Sequence, residues 1–352
     1  MAQNFSWDEI LRMFRMLGGT AENIKPKNPG TGRGLAARSP DEPVQIRIPT
    51  NLLFRVEDIT FEDNRPCLKN TADVADAERL FFEAYQGSLS WAGGEGSQCT
   101  AFIDVLDSLP AEVRTLLHDE FGFADVLVGD PSERAQKLFL RRGSVVLEGK
   151  EFIAPVIELA NHGSAGLPRY VERGLNIMGT VEDEILVNRG VYDSFSLFKK
   201  FGAVSGEPGA FSQPTELQVM DRRLLILQDT SAPVKRGNAW IPNLSIDAGT
   251  ALLPFLMIGH RVMPRQSRAI FRVLTADARI DKADEAFDAI LQFNWSMFLK
   301  LLTALASHDG KMVQTLRKVV RFQLEAMSHC IGSIELEAPE PVKEEVWSFS
   351  IQ

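Results

Sequence analysis

Strand-forming and helical stretches do not alternate regularly along this chain, which argues against both a doubly wound sheet and a β/α barrel. Residues 5–17 carry apolar side chains at helical spacing, stopped by Gly18-Gly19. Short β-like segments follow at Leu35–Ala37 and Val44–Ile48, joined by the Ser39-Pro40-Asp41 turn. A mostly helical block then runs from about residue 56 to 140. In it "ADVADAERLFFEAYQGSL" reads as one helix, and Pro110 divides "CTAFIDVLDSLPAEVRTLLHDEFG" into two. Strand signals return in "SVVLEGKEFIAPVIEL", "GTVEDEILVNRGVY" and "RRLLILQD". Two long amphipathic helices are expected over 281–305 and 311–332, separated by "SHDGK". The order predicts an α+β fold: irregular β-structure holding a helical insertion, then an all-helical C-terminal domain.

Charge and rare residues narrow the function classes. Lys and Arg number 38 against 47 for Asp and Glu, a net charge of −9, which argues against nucleic acid as the main partner. The three cysteines, Cys67, Cys99 and Cys330, offer neither a disulfide framework nor a Cys-x-x-Cys pair. His118, His162, His260, His308 and His329 never fall at ligand spacing, so no metal site is expected. For all of these but His162 a structural role is expected, and the basic face of Lys311, Arg317, Lys318 and Arg321 reads as solvated helix surface. The longest apolar run, 251–258, is shorter than the roughly 20 residues a membrane span needs. Charges interrupt the apolar N-terminal segment, unlike a secretory signal. A soluble, cytoplasmic protein without a membrane partner is the expectation.

Two stretches look like sites. "GTGRG" (30–34) lacks the preceding strand, following helix and later acidic residue of a dinucleotide-binding turn. It reads as a flexible turn, or as a glycine-lined strand entrance that lets backbone approach a small ligand. In "EFIAPVIELANHGSAGLPRY" an apolar run ends at Asn161-His162, and His162 to Gly166 nearly match a Gly-x-Ser-x-Gly nucleophile elbow. A hydrolase would then need a later Asp and His, for which His260 or His308 are nominal candidates.

Taken in chain order, the sequence resembles SET-domain proteins of the Rubisco large-subunit lysine methyltransferase type. "FSWDEILRMFRMLGG", "GTGRGLAA" and "PVQIRIPTNLLF" resemble that family's opening helix, Gly-x-Gly strand and following strand. "FIDVLDSLP" resembles a helix of its insertion, and "IAPVIELANHG" its Asn-His signature, with Glu158 and Gly163 in place of Asp and Ser. "AGTALLPFLMIG", ahead of two long helices, resembles its substrate-binding domain. The resemblance implies a SET domain over 1–204 with a helical insertion at about 56–140. A mostly helical substrate-binding domain over 205–335 and an acidic tail over 336–352 would follow.

It further implies S-adenosylmethionine as cofactor, held by Thr31, Gly32, Arg33, Gly34, Arg141, Asn161, His162 and Phe201. Tyr192 and Phe201 would line the acceptor side. In "NRGVYDSFSLFKKFGAV" the family's final tyrosine falls on Phe201, and an earlier one on Asn188 or Arg189. If Arg189 points into the acceptor channel, its permanent charge repels a lysine ammonium. The implied activity is protein-lysine N-methylation, on a protein substrate bound through the C-terminal helices. The alternative is a catalytically degenerate SET-fold module that binds protein, cofactor or both.

Overall fold

The computed structural model describes residues 5–27, 34–90, 98–219, 222–229, 234–236, 239–247, 249–277, 280 and 282–330. The fold is α+β. The chain forms two compact units, one of residues 1–107 and 125–189, the other of residues 108–124 and 190–352. The division between these compact units falls after Arg189, the chain from Gly190 on grouping with residues 108–124.

The first unit is built on an antiparallel sheet in the order Thr20–Glu22, Val44–Ile48, Leu175–Gly179, Arg169–Val171. Val44, Ile46 and Ile48 alternate with half-buried polar residues, so one face enters the core. Leu35–Ala37 and Val44–Ile48 do not pair with each other. The former closes a hairpin with Ile24–Pro26, the latter joins the main sheet. The Trp7–Met16 helix starts with a capping box, Ser6 and Glu9 each bonding the other's backbone N–H. Phe14 on that helix meets Phe81 on the Asp76–Ser88 helix at 5.9 Å.

The helical block begins later than expected. Ile59–Glu62 and Arg65–Leu68 form a hairpin first, turned by Asp63 and Asn64 at φ 48° and 62°, the type I′ geometry that suits strand twist. Gln98–Asp107 then packs on Pro131–Gly143, where Arg134 grips Asp107 with both arms at 2.8 and 2.6 Å. Pro110 ends the preceding helix as the sequence predicts.

The second unit contains a four-stranded sheet, Thr215–Val219, Arg222–Ile226, Thr250–Leu253 and Ser245–Asp247, besides the pair Gly209–Phe211 and Met257–His260. The purely helical part therefore starts only at Pro264–Asp277 and continues through Ala283–Ala306 and Lys311–Ser328. Ala283–Ala306 has the length and apolarity of a membrane span. Within the unit it buries Phe287, Ile290, Leu291, Phe298, Leu301 and Leu305, and its buried Asn294 receives the Gln213 N–H at 2.7 Å. Part of the basic face is structural too, since Arg317 donates to the carbonyls of Leu305 and Ala306 at the end of that helix.

Asp193 ties this unit together. Its fully buried carboxylate accepts from the Ser196 N–H at 2.6 Å, capping the Ser194–Phe201 helix, and from the Phe211 N–H at 2.8 Å. The Gln323 amide donates to the same oxygen that Phe211 uses. Asp193→Ala strands these donors in the core. It is expected to lower the unfolding free energy by about 3 kcal/mol in urea titration. A loss below about 1 kcal/mol would remove Asp193 from this central role.

Candidate functional site

The "IAPVIELANHG" stretch folds as a strained turn rather than a continuous strand. After the Lys150–Ile153 strand, Val156 adopts φ 69° and ψ −55°, and the Ile157 N–H closes a three-residue turn onto the Pro155 carbonyl at 2.8 Å. A β-branched residue pays about 1–3 kcal/mol for such a backbone. What holds it is Tyr85, fully buried, whose hydroxyl accepts the Val156 N–H at 3.0 Å. One short 3-10 turn, Ile157–Leu159, then carries Glu158 inward.

Glu158 is only 2% exposed. The hydroxyls of Tyr85 and Ser90 hydrogen-bond to it, and Arg142 and Arg189 lie close enough to act on its charge. Burial outweighs these and pushes its pKa up to about 7. Gly143 makes room, for a Cβ there would sit 2.7 Å from the Glu158 carboxylate.

Arg189 directs its guanidinium at backbone carbonyls. Its Nη1 donates to the Arg142 carbonyl at 2.5 Å, and its Nη2 to those of Glu158 at 2.8 Å, Ala160 at 3.0 Å and Ile157 at 3.4 Å. The guanidinium is a structural clasp, a task for which its planar fork of donors is suited.

Beyond this clasp, three stretches remote in sequence lie side by side. Asn161–Leu167 runs parallel to Leu186–Val187, with Asn161 opposite Leu186 and His162 opposite Val187. On the other side, the Ala37 N–H reaches Asp183 and the Ile185 N–H reaches Leu35, both at 2.8 Å, while Gly34 N–H donates to Leu159 at 3.1 Å. This arrangement removes the hydrolase alternative. Residues 161–167 are a strand followed by another strand, with no helix to aim Ser164.

Asn161 and His162 differ in environment. The Asn161 amide donates to Glu184 at 2.7 Å, and the second oxygen of Glu184 pairs with Lys27. Gly34, at φ 92°, overhangs this group. A Cβ there would come 3.2 Å from the Lys27 Cβ and 3.8 Å from the Asn161 nitrogen. The His162 Nδ1 accepts the Arg189 N–H at 3.2 Å. Burial, then the charges of Arg189 and Arg169, lower its pKa to about 4, so the ring stays neutral near pH 7.

The other expected site residues lie elsewhere or outside the described set. Thr31, Gly32 and Arg33 fall outside the described residues, as does the tail over 336–352. Arg141, in the last turn of its helix, pairs with Asp125 at 2.9 Å. In the second unit Tyr192 and Phe201 meet edge to face, their ring centroids 5.3 Å apart. His260 accepts two backbone N–H groups and His308 bonds Glu112, both structural roles. Sequence reasoning missed Lys27, Glu184 and Tyr85. Glu184 is one of three consecutive acidic residues, Glu182 to Glu184, and only strand pairing distinguishes it. Tyr85 sits on an apolar helix face, where its hydroxyl was the one available signal.

No family model and no curated relative matches the chain. A solved structure described as the SET domain of LSMT bound to lysine and AdoHcy is similar over 91% of this chain and 89% of its own. Its identity is 11% and its TM-score 0.36, too low to fix the type of fold.

Two outcomes follow from the Glu158–Arg189 cluster. Between pH 4.5, where the unfolded carboxyl ionises, and about 7, the folded chain keeps a proton the unfolded chain has lost. Glu158 therefore makes stability fall as pH rises through that window, by up to about 3 kcal/mol, and contributes no slope above it. Urea titrations across this range should show the slope in the native chain and its loss in Glu158→Gln. Arg189→Lys keeps the charge but cannot serve four carbonyls, so it should cost about 3 kcal/mol in the same assay. A neutral result would mean that the charge alone matters.

Proposed function

We propose that the chain is an S-adenosylmethionine-dependent protein methyltransferase of SET type, with lysine as the acceptor. The observation that carries this reading is the convergence of 34–37, 157–162 and 183–187 on Asn161. The residues present suit the amino-acid end of such a cofactor. Glu184, held between the Asn161 amide and the Lys27 ammonium, and Lys27 itself offer the opposite charges that an ammonium and a carboxylate would need. Gly34 leaves open the space that a side chain would fill.

When bound, the cofactor supplies a methyl group on a sulfonium, ready for transfer to a neutral amine. The chain's own tasks are positioning and charge control. Asn161 would orient the ligand through its donor and acceptor atoms. His162, held neutral, adds no positive charge to the neighbourhood of a sulfonium. Thr31 to Arg33 and Arg141 remain the further candidates for cofactor contact, the latter on exchanging its Asp125 partner. On the acceptor side, the Tyr192 hydroxyl would receive a hydrogen bond from the amine, while Phe201 supplies an aromatic wall. The helices of the C-terminal half would receive a protein substrate in a cytoplasmic setting.

A second reading, a binding module without turnover, is favoured by Phe201, whose ring lacks the hydroxyl that a tyrosine would bring. One experiment tests both. In a thermal unfolding scan, S-adenosylmethionine or S-adenosylhomocysteine at 100 times its dissociation constant should stabilise the protein by about 2.7 kcal/mol. Asn161→Ala should abolish that shift while leaving the ligand-free transition near that of the native chain. No shift at millimolar ligand sinks the cofactor reading. A shift without methyl transfer to any protein acceptor selects the binding module.

A further inference from the structure

The Ser194–Phe201 helix ends with two adjacent lysines whose ammonium groups go separate ways. Lys199 reaches Gln228 at 3.4 Å and lies 6.0 Å from the Phe123 ring centroid. Lys200 donates to the Tyr192 hydroxyl at 2.9 Å. Its ammonium is 5.1 Å from the Tyr192 ring centroid and 5.5 Å from that of Phe201, and those rings stand at 89° to each other.

This is a corner of two aromatic rings and one phenol oxygen beside a cation. Among the described residues no carboxylate forms an ion pair with Lys200. A lysine placed only for solubility extends its head into water. Lys200 instead lies half-buried against two rings, the arrangement by which proteins recognise ammonium ligands. Asp193 fixes the geometry, because it caps the helix carrying Lys200 and Phe201 and is the chain neighbour of Tyr192.

We propose that Tyr192 and Phe201 form a binding corner for an aliphatic ammonium ion, and that Lys200 is its internal occupant, displaced when a lysine side chain from another protein enters. The choice of a protein lysine as the natural ligand rests on the function proposed above; the corner and its occupant do not. An internal occupant lowers the apparent affinity for an external amine by the fraction of time the corner is open. The contact is one hydrogen bond to Tyr192 and one approach to the Phe201 ring, modest enough to exchange.

The test uses n-butylammonium, the bare head of a lysine side chain, added to the full chain without cofactor and against sodium chloride at equal ionic strength. Tyr192 ring resonances report binding. Lys200→Met should bind about tenfold more tightly than the native chain if the corner is open one time in ten. Lys200→Arg, which keeps a cation able to stack on the rings, should resemble the native chain. Adding Tyr192→Ala to Lys200→Met should abolish the gain. Equal affinity in the native chain and Lys200→Met overturns the proposal. A measurement on the native chain needs no variant. Its Lys200 ε-methylene protons should start at ring-current-shifted positions and move to solvent-exposed ones as n-butylammonium is added. Resonances that stay fixed while Tyr192 titrates also overturn it. Because cofactor is absent throughout, a failed cofactor scan with a positive amine titration removes the methyltransferase reading alone, and the reverse removes only the internal occupant.

Discussion

One guanidinium holds together the parts of the first unit that matter most. Arg189 reaches the carbonyl of Arg142 at the end of a helix and three carbonyls of the 157–160 turn, while its own N–H goes to His162. Four acceptors on one rigid fork fix relative positions to within hydrogen-bond tolerance, which a flexible ammonium cannot do. The turn that carries Glu158 inward and the exit of the chain into Asn161-His162 are bound by that clasp, while Tyr85 holds the strained backbone at Val156.

The cluster around it shows burial and charge in competition. Glu158 lies near two arginines and two hydroxyls, yet desolvation wins and its proton is held to about pH 7. His162 loses its proton for the matching reason, since burial and two arginines oppose a third positive charge. Next to this cluster, Glu184 accepts from the Asn161 amide with one oxygen and pairs with Lys27 through the other.

The second unit uses a different device for a related end. A buried carboxylate, Asp193, sets the start of a short helix, and that helix presents an aromatic corner at its far end. The corner already contains a cation. On the proposal above, an external ammonium would enter by exchange with this internal group rather than by filling an open cavity.

How much of this was legible before the structure depends on the range of the interactions involved. The opening helix, the break at Pro110 and the long helices Ala283–Ala306 and Lys311–Ser328 follow from local periodicity and capping, which act within a few residues. Val44–Ile48 was legible because its alternation matches a half-buried strand. The Gly- and Ser-rich strand 161–167 and most of the sheet strands between 209 and 260 carried no such signal, since their partners are distant and pairing supplies what propensity does not. The sequence by itself determined which residues stood out, namely Asn161, His162, Tyr192 and Phe201. Only the tertiary structure decided what they touch. It joined Asn161 to Glu184, committed the Arg189 guanidinium to backbone carbonyls, and set Lys200 beside the Tyr192–Phe201 pair. Each of those outcomes depends on where a side chain points once distant strands have paired, and spacing along the chain does not encode that direction.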